Sequence, residues 1–305
     1  MERLASPKQN AEYAVVRLLI SVLGALPRRL ARAIGAALGD LSFLLLPRLR
    51  AAGRTNLALA FPEWPQAQRD RVLRNSVRNL GRQLAEFCRM SRYTRASIAA
   101  IARGEGEPHF LAAQARGKGT LVLTGHVGAW ELSSFYHSLL GHPMALVIRR
   151  LDNPRVDALV NHIRGLHGNA VIHKDDFARG LLSAMRRNQT VGILMDTNMT
   201  PPQGVFVPFF GVAACTASGL ARVALKTGAT VLPGFMVWED SERKYVLRFG
   251  APLELARSGD DAADIVANTA LFTRVIEETI RRYPEQWLWV HRRWKTRPAG
   301  EPGIY

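Results

Sequence analysis

At 305 residues and 48% apolar side chains, the chain can bury a sizeable core and is too apolar for wholesale disorder. Its 41 Lys+Arg against 25 Asp+Glu give a net charge of +16 and an isoelectric point near 10.9, which calls for an anionic partner: nucleic acid, an anionic membrane, or an acidic protein or substrate. The excess is concentrated early, since residues 1–100 carry 17 basic and 6 acidic side chains. Two distant cysteines, Cys88 and Cys215, argue against a disulfide framework and are compatible with a reducing compartment.

The first residues lack the charged, apolar, then small-residue pattern of a cleaved signal peptide. Two apolar segments follow. Leu18–Leu26 lies after Arg17 and stops at Pro27-Arg28-Arg29; Ala33–Leu46 is interrupted by Asp40 and followed by Pro47-Arg48-Leu49-Arg50. Each is shorter than the roughly 20 apolar residues of a spanning helix. Their flanking arginines suit helices that dip into a bilayer with anionic headgroups; two core helices with solvated arginine ends is the plainer alternative. Asn56–Pro65 reads as a helix end and a proline-punctuated loop. A long helix is predicted from Ala67 to Met90, with Val72, Leu73, Val77, Leu80, Leu84 and Phe87 at helical spacing. Its other face bears Arg69, Arg71, Arg74, Arg78 and Arg82, read as a solvated row.

From Gly117 onward, short apolar runs alternate with helical segments. Strands are predicted at Thr120–Thr124, Met144–Ile148, Ala170–Ile172, Thr190–Met195, Thr230–Leu232, Phe235–Trp238 and Tyr245–Phe249, and a final helix at Ile265–Tyr283. This alternation predicts an α/β fold: a mixed, partly parallel sheet flanked by helices. The expected organisation is a helical, basic, membrane-associating region over residues 1–104 and an α/β domain over 105–305. The chain closes with Trp287, Trp289 and Trp294 among Arg292, Arg293 and Lys295, a block that suits either a membrane interface or a cover for the sheet.

Chemistry concentrates in Gly119–Glu131. A buried strand ends at Thr124, turns through Gly125 and Gly128, and continues as a helix, placing His126 at the strand mouth and Glu131 in or near the first helical turn. Ligands and catalytic groups of α/β folds collect outside the carboxyl ends of strands. A histidine there with a carboxylate in reach is a candidate general base with its orienting partner. No Gly-x-Ser-x-Gly, His-Glu-x-x-His or phosphate-binding glycine loop is present, so a serine hydrolase of that type, a zinc hydrolase of that type and nucleotide binding are not indicated. A base without a nucleophile of its own fits direct transfer: His126 takes the proton of a substrate hydroxyl, which attacks an activated acyl carbonyl, while Glu131 holds the imidazole. Arg149-Arg150 close the next strand at the same edge and suit phosphate oxygens.

His126-x-x-x-x-Glu131 resembles the His-x-x-x-x-Asp/Glu motif of the glycerolipid acyltransferase superfamily. With Arg149, Asp196, the Gly204–Gly211 block and Pro284–Pro298, the chain is similar to the bacterial late acyltransferases of lipid A biosynthesis, the lauroyl/myristoyl transferase family. The resemblance implies an O-acyltransferase moving a fatty acyl chain from acyl carrier protein or coenzyme A to a hydroxyl of an anionic lipid A precursor. The reaction would take place at the cytoplasmic face of the inner membrane, with neither metal nor organic cofactor. It implies His126 as base and Glu131 as its partner. Substrate contacts would come from Gly128, Ala129, Trp130, Arg149, Arg150, Asp196, Gly204, Val205, Phe206 and Val207. Ala129 and Arg150 stand where the family often carries Asn and Pro, which leaves open another acceptor, such as a phosphatidylinositol mannoside or a lysophospholipid. Two non-enzymatic readings remain beside it: a basic lipid-binding protein, and a nucleic-acid binder, against which stands the lack of aromatic residues interleaved with the arginines.

Overall fold

The computed structural model describes residues 6–305. Four helices open the chain. α1 (Pro7–Ala25) starts at a capping box in which Ser6 and Gln9 satisfy each other's backbone N–H groups. α2 (Arg28–Leu45) and α3 (Pro47–Ala60) meet at a 92° bend where Pro47 cannot continue the ladder. α4 (Gln66–Arg89) is the long helix predicted from its apolar spacing. α2 and α4 pack backbone to backbone at glycines: a Cβ on Gly81 would lie 1.9 Å from the Gly35 carbonyl oxygen.

Among the described residues, no single helix is long and apolar enough to cross a membrane. Yet α1 to α3 leave Val15, Leu18, Val22, Leu30, Leu41, Leu44, Leu45, Leu46 and Leu49 exposed, Leu44 and Leu45 by two thirds of their surface.

The sheet begins with β1 (Ala102–Glu105), after the short α5 (Arg95–Ala99), and continues through α6 (Glu107–Ala115), β2 (Thr120–Thr124), α7 (Trp130–Leu139), β3 (Met144–Ile148), α8 (Pro154–Arg164), β4 (Ala170–His173), α9 (Phe177–Arg186) and β5 (Thr190–Leu194). A hairpin of β6 (Gly204–Phe209) and β7 (Val212–Ala217) stands apart from it. Then come α10 (Gly219–Thr227), β8 (Thr230–Glu239), β9 (Lys244–Phe249) and α11 (Asp261–Arg282). Strand order is β1-β9-β8-β2-β5-β3-β4, and every neighbouring pair is parallel except β8 with β9. The structure is thus the mixed, mostly parallel sheet with flanking helices that the alternation predicts.

β8 merges two predicted strands. Residues up to Pro233 pair with β2 and those from Gly234 onward with β9, so the Pro-Gly step is where the strand passes from one neighbour to the other. β1, β6 and β7 were not foreseen.

The opening helices share the sheet's core: Leu57, Ala60, Phe61, Val72 and Leu73 belong to one buried cluster with Leu121, Val191, Trp287 and Trp289. Beside them lies a buried carboxylate. Glu86 of α4, 1% exposed, accepts from Arg28 at 3.0 Å, Arg32 at 2.7 Å and the Tyr93 hydroxyl at 2.6 Å, and Arg32 also donates to Tyr245 of β9. A buried ion needs this many partners to offset its lost hydration.

Candidate active site

The parallel pairing of β2 with β5 aligns Thr124 with Leu194, so the residues two positions beyond each strand, His126 and Asp196, come side by side at the carboxyl edge of the sheet. His126 Nδ1 lies 2.8 Å from Asp196 Oδ1. The other carboxylate oxygen accepts two further bonds, from the His126 backbone N–H and from the Trp287 indole N–H, each at 2.7 Å. Gly125 permits the approach, since a Cβ there would sit 3.1 Å from the Asp196 carboxyl carbon.

Burial pushes the Asp196 carboxyl up, but the His126 charge, the His126 and Trp287 side-chain bonds and the His126 backbone N–H together hold it well below the usual carboxylate range. An ionised carboxylate only accepts, so Nδ1 carries the proton and Nε2 presents its lone pair. Burial is also the largest single influence on His126 and lowers its pKa; the charge and hydrogen bond of Asp196, with the charge of Glu131, outweigh it and leave the imidazole raised. Among the described residues no hydrogen bond from the chain occupies Nε2. The Trp130 ring stands edge-on to the imidazole with centroids 5.0 Å apart.

Glu131 sits in the first turn of α7, as its spacing predicts, but its carboxylate is not the group that holds the ring. It is taken by Arg164 of α8, whose Nε donates at 3.0 Å and whose Nη2 donates to the second oxygen. The carboxylate bonded to the ring is thus Asp196, expected from the sequence among the acceptor contacts, and not Glu131, expected there as the ring's partner.

Gly128 and Ala129 are buried as the hinge of the loop. Gly128 (φ +65°) donates to the Gln286 carbonyl at 2.9 Å and Ala129 to the Met236 carbonyl at 2.7 Å; a Cβ on Gly128 would lie 2.0 Å from that same Met236 oxygen. Arg149 and Arg150 follow β3 at the same edge as His126; among the described residues Arg149, largely exposed, pairs only with Asp152 at 3.5 Å. Gly204, Val205, Phe206 and Val207 form β6, with Gly204 and Val207 buried and the two between them half-buried.

Of the two readings of the closing segment, the structure favours the cover for the sheet, and it adds buried contacts that have no local signal in the sequence. Trp287, Trp289 and Trp294 are 1%, 0% and 0% exposed, so they cover the core and do not face a membrane. Arg293 is fully buried, donating to the Cys215 carbonyl and the Thr216 hydroxyl, with its guanidinium 4.9 Å above Phe209. His291 Nε2 accepts from the Asn198 backbone N–H at 2.9 Å, and burial pushes its pKa down. The one available signal was position: Asp196 and His126 each follow a strand that the sequence had already revealed. Among the described residues, no group of three or more His, Cys, Asp or Glu side chains could hold a metal ion.

A family model described as bacterial lipid A biosynthesis acyltransferase matches residues 2–296. The chain is 29% identical to the lipid A biosynthesis lauroyltransferase of Escherichia coli K12 over 273 residues, covering 89% of this chain and 87% of that one. It is 30% identical to a lipid A biosynthesis acyltransferase of Haemophilus influenzae over 307 residues, covering 98% and 95%. It is also 27% identical to the lipid A biosynthesis palmitoleoyltransferase of Escherichia coli K12, with 89% and 87% covered. A match over nearly the whole chain, on an α/β sheet that carries its histidine at the carboxyl edge, settles the relationship: the chain belongs to the bacterial lipid A biosynthesis acyltransferase family.

Proposed function

We propose that the protein transfers a fatty acyl group from the thioester of acyl carrier protein or coenzyme A to a hydroxyl of a lipid A precursor, with His126 as general base. The observation that carries this reading is the tautomer fixed by Asp196, which leaves Nε2 free of any partner from the described chain at the edge of the sheet. Nε2 takes the proton of the acceptor hydroxyl as its oxygen attacks the thioester carbonyl. The carbon–oxygen bond forms, the carbon–sulfur bond breaks, and the proton passes from the imidazolium to the departing thiolate. Asp196 stabilises the imidazolium in between. Glu131, locked to Arg164, fixes the first turn of α7 and adds negative charge near the ring. Arg149 and Arg150 offer cations for the anionic groups of the acceptor, and the β6 segment from Gly204 to Val207 lines its far side. The exposed leucines of α1 to α3 and their neighbouring arginines suit the surface of an anionic inner membrane, where such an acceptor resides.

The test is transfer of a labelled acyl group from acyl carrier protein to a lipid A precursor. His126→Ala is expected to lose about 10²–10⁴-fold in rate while folding normally. Full activity in that variant sinks the assignment of the base; product on a different glycolipid in place of the lipid A precursor sinks the acceptor.

A further inference from the structure

α4 carries Arg71, Arg74, Arg78 and Arg82 at spacings of three and four residues, which places them on one face. Between this face and the α2–α3 corner lies a cleft of about 370 Å³ lined by Phe43, Arg54, Arg71, Arg74, Asn75 and Arg78, together with Asp70. Two aspartates stand among the arginines and hold their heads in place. Asp70 pairs with Arg54 at 2.8 Å; Asp40 pairs with Arg74 at 2.8 Å and Arg78 at 3.3 Å. Four guanidinium groups against three carboxylates, Asp40, Asp70 and the Glu285 that Asn75 donates to, leave the cleft positive, and Arg71 has no ion-pair partner among the described residues. Crowding of like charge extends along the helix. Burial first, and then Arg32 and Arg78, push Arg82 below its ordinary value.

The rim explains what such a cleft is for. Phe43 forms its apolar wall, and the turn above it exposes Leu44, Leu45, Leu46 and Leu49. A phosphate held by arginines beneath, with hydrocarbon against leucines above, is the arrangement an anionic phospholipid requires. A concave cleft of this size suits a headgroup and not the flat face of an acidic helix. The opposite wall connects to the active site: Asn75 donates to Glu285 at 2.9 Å, Gln286 accepts from Gly128, and Trp287 donates to Asp196.

We propose that the cleft between α4 and the α2–α3 corner binds the phosphate of an anionic membrane lipid and seats the enzyme on the bilayer beside, and separately from, the acyl acceptor. This rests on the membrane-facing reading of the leucines, and the experiment separates the two. The full chain is tested by flotation with vesicles of phosphatidylcholine alone and of phosphatidylcholine with phosphatidylglycerol. The variants are Arg71→Gln/Arg74→Gln, a control of equal charge change, Arg116→Gln/Arg186→Gln, and Leu44→Ser/Leu45→Ser, each first checked for native helicity.

Each basic residue at an anionic surface is worth about fivefold in partitioning, so the cleft variant is expected to lose roughly 25-fold on the anionic vesicles only. The control pair, exposed at the carboxyl ends of α6 and α9 and away from the α2–α3 corner, is expected to lose little. The leucine variant is expected to lose binding to both vesicle types. Equal losses in the cleft and control variants overturn the site while leaving the membrane reading standing. Wild-type protein that floats with neither vesicle overturns the membrane reading itself. If sn-glycerol 3-phosphate raises the Tm of wild type but not of the cleft variant, while flotation is unchanged, the ligand is a soluble phosphate and the lipid assignment falls. If the cleft variant loses only its capture of acyl carrier protein, the lipid assignment falls equally. Flotation reads binding alone, so none of these outcomes depends on whether His126 is the base.

Discussion

The Asp196→Asn variant isolates the electrostatics of the candidate base from its placement. Asp196 accepts three N–H groups, two from His126 and one from Trp287. An amide of the same shape has one oxygen and one NH₂, so it cannot accept all three. The backbone N–H of His126 and the indole N–H both point at one carboxylate oxygen and keep the amide oxygen there, which turns the NH₂ toward Nδ1. Nδ1 then has to accept, the ring proton moves to Nε2, and the lone pair needed for proton abstraction is lost. Replacing the orienting carboxylate by its amide in a hydrolase triad costs about 10⁴-fold by this route, and a loss of about 10³–10⁴-fold in kcat is expected here. The pH profile carries a second signature. The base must be neutral, so in wild type the rate rises with pH through the His126 pKa, which lies above its ordinary value. Without the Asp196 charge, burial dominates and the Glu131 charge alone opposes it, so the acid limb moves to lower pH even as the plateau collapses. The assay is the pH dependence of labelled acyl transfer, with thermal unfolding as a check that the loop is intact. A near-wild-type plateau, or a limb that stays in place, refutes the assignment of Asp196 as the orienting group.

Glu131→Gln removes the weaker of the two charges acting on His126 and should shift the same limb downward by less than Asp196→Asn; a larger shift would invert the roles argued for the two carboxylates. Its stability effect should run through Arg164, with a double-mutant coupling of about 0.5–3 kcal/mol in urea unfolding. Gly128→Ala puts a Cβ against the Met236 carbonyl at a left-handed φ and should destabilise by about 2–4 kcal/mol; an unmoved urea midpoint shows that the hinge is not constrained. His137 is buried against His142, Phe110 and Phe249 with neither ring nitrogen bonded, and burial first, then His142, lowers its pKa to about 4. Because the unfolded chain binds this proton near pH 6.5 and the folded one only near 4, stability falls as the pH drops through that window, by about 3 kcal/mol from this group. His137→Phe should flatten the decline in Tm between pH 6.5 and 4, and a variant as acid-sensitive as wild type excludes His137 as its source.

Sequence made the fold legible where apolar β-branched runs were bounded by turn residues, as at Thr120–Thr124 and Met144–Ile148, whose bounds the structure reproduces. It failed where a strand is defined by its neighbours. β1 reads Ala-Arg-Gly-Glu and has no apolar period. It is held by its register with β9, by Arg103 pairing with Glu242, and by Arg248 pairing with Glu105. For Gly204–Val207 the family resemblance implies a pocket lining and says nothing of a strand, while hairpin pairing from Gly204↔Ala217 to Phe209↔Val212 is what shapes the segment. At the site, a spacing of five residues favoured Glu131 because local separation is visible in a sequence. Asp196 is 70 residues away, and only the parallel pairing of β2 with β5 carries it to His126.

The closing segment completes the surroundings of Asp196. By sequence the Trp287 block suits either a membrane interface or a cover for the sheet; in the fold its indole N–H is the third donor on a carboxylate with no solvent to fall back on. Asn56 of α3 fixes this segment by donating to the Trp289 and His291 carbonyls at 2.5 and 2.6 Å, and Gln286 fixes it to the sheet through the backbone of Trp238. The position of Asp196 is thus determined from three sides: β5 behind it, the His126 loop in front, and the closing segment above. A buried carboxylate satisfied by three donors is poorly free to rotate, and the imidazole it grips inherits that rigidity. In the proposed transfer the acceptor hydroxyl is the nucleophile, and rigidity of this kind keeps Nε2 of His126 aimed at the proton it would remove.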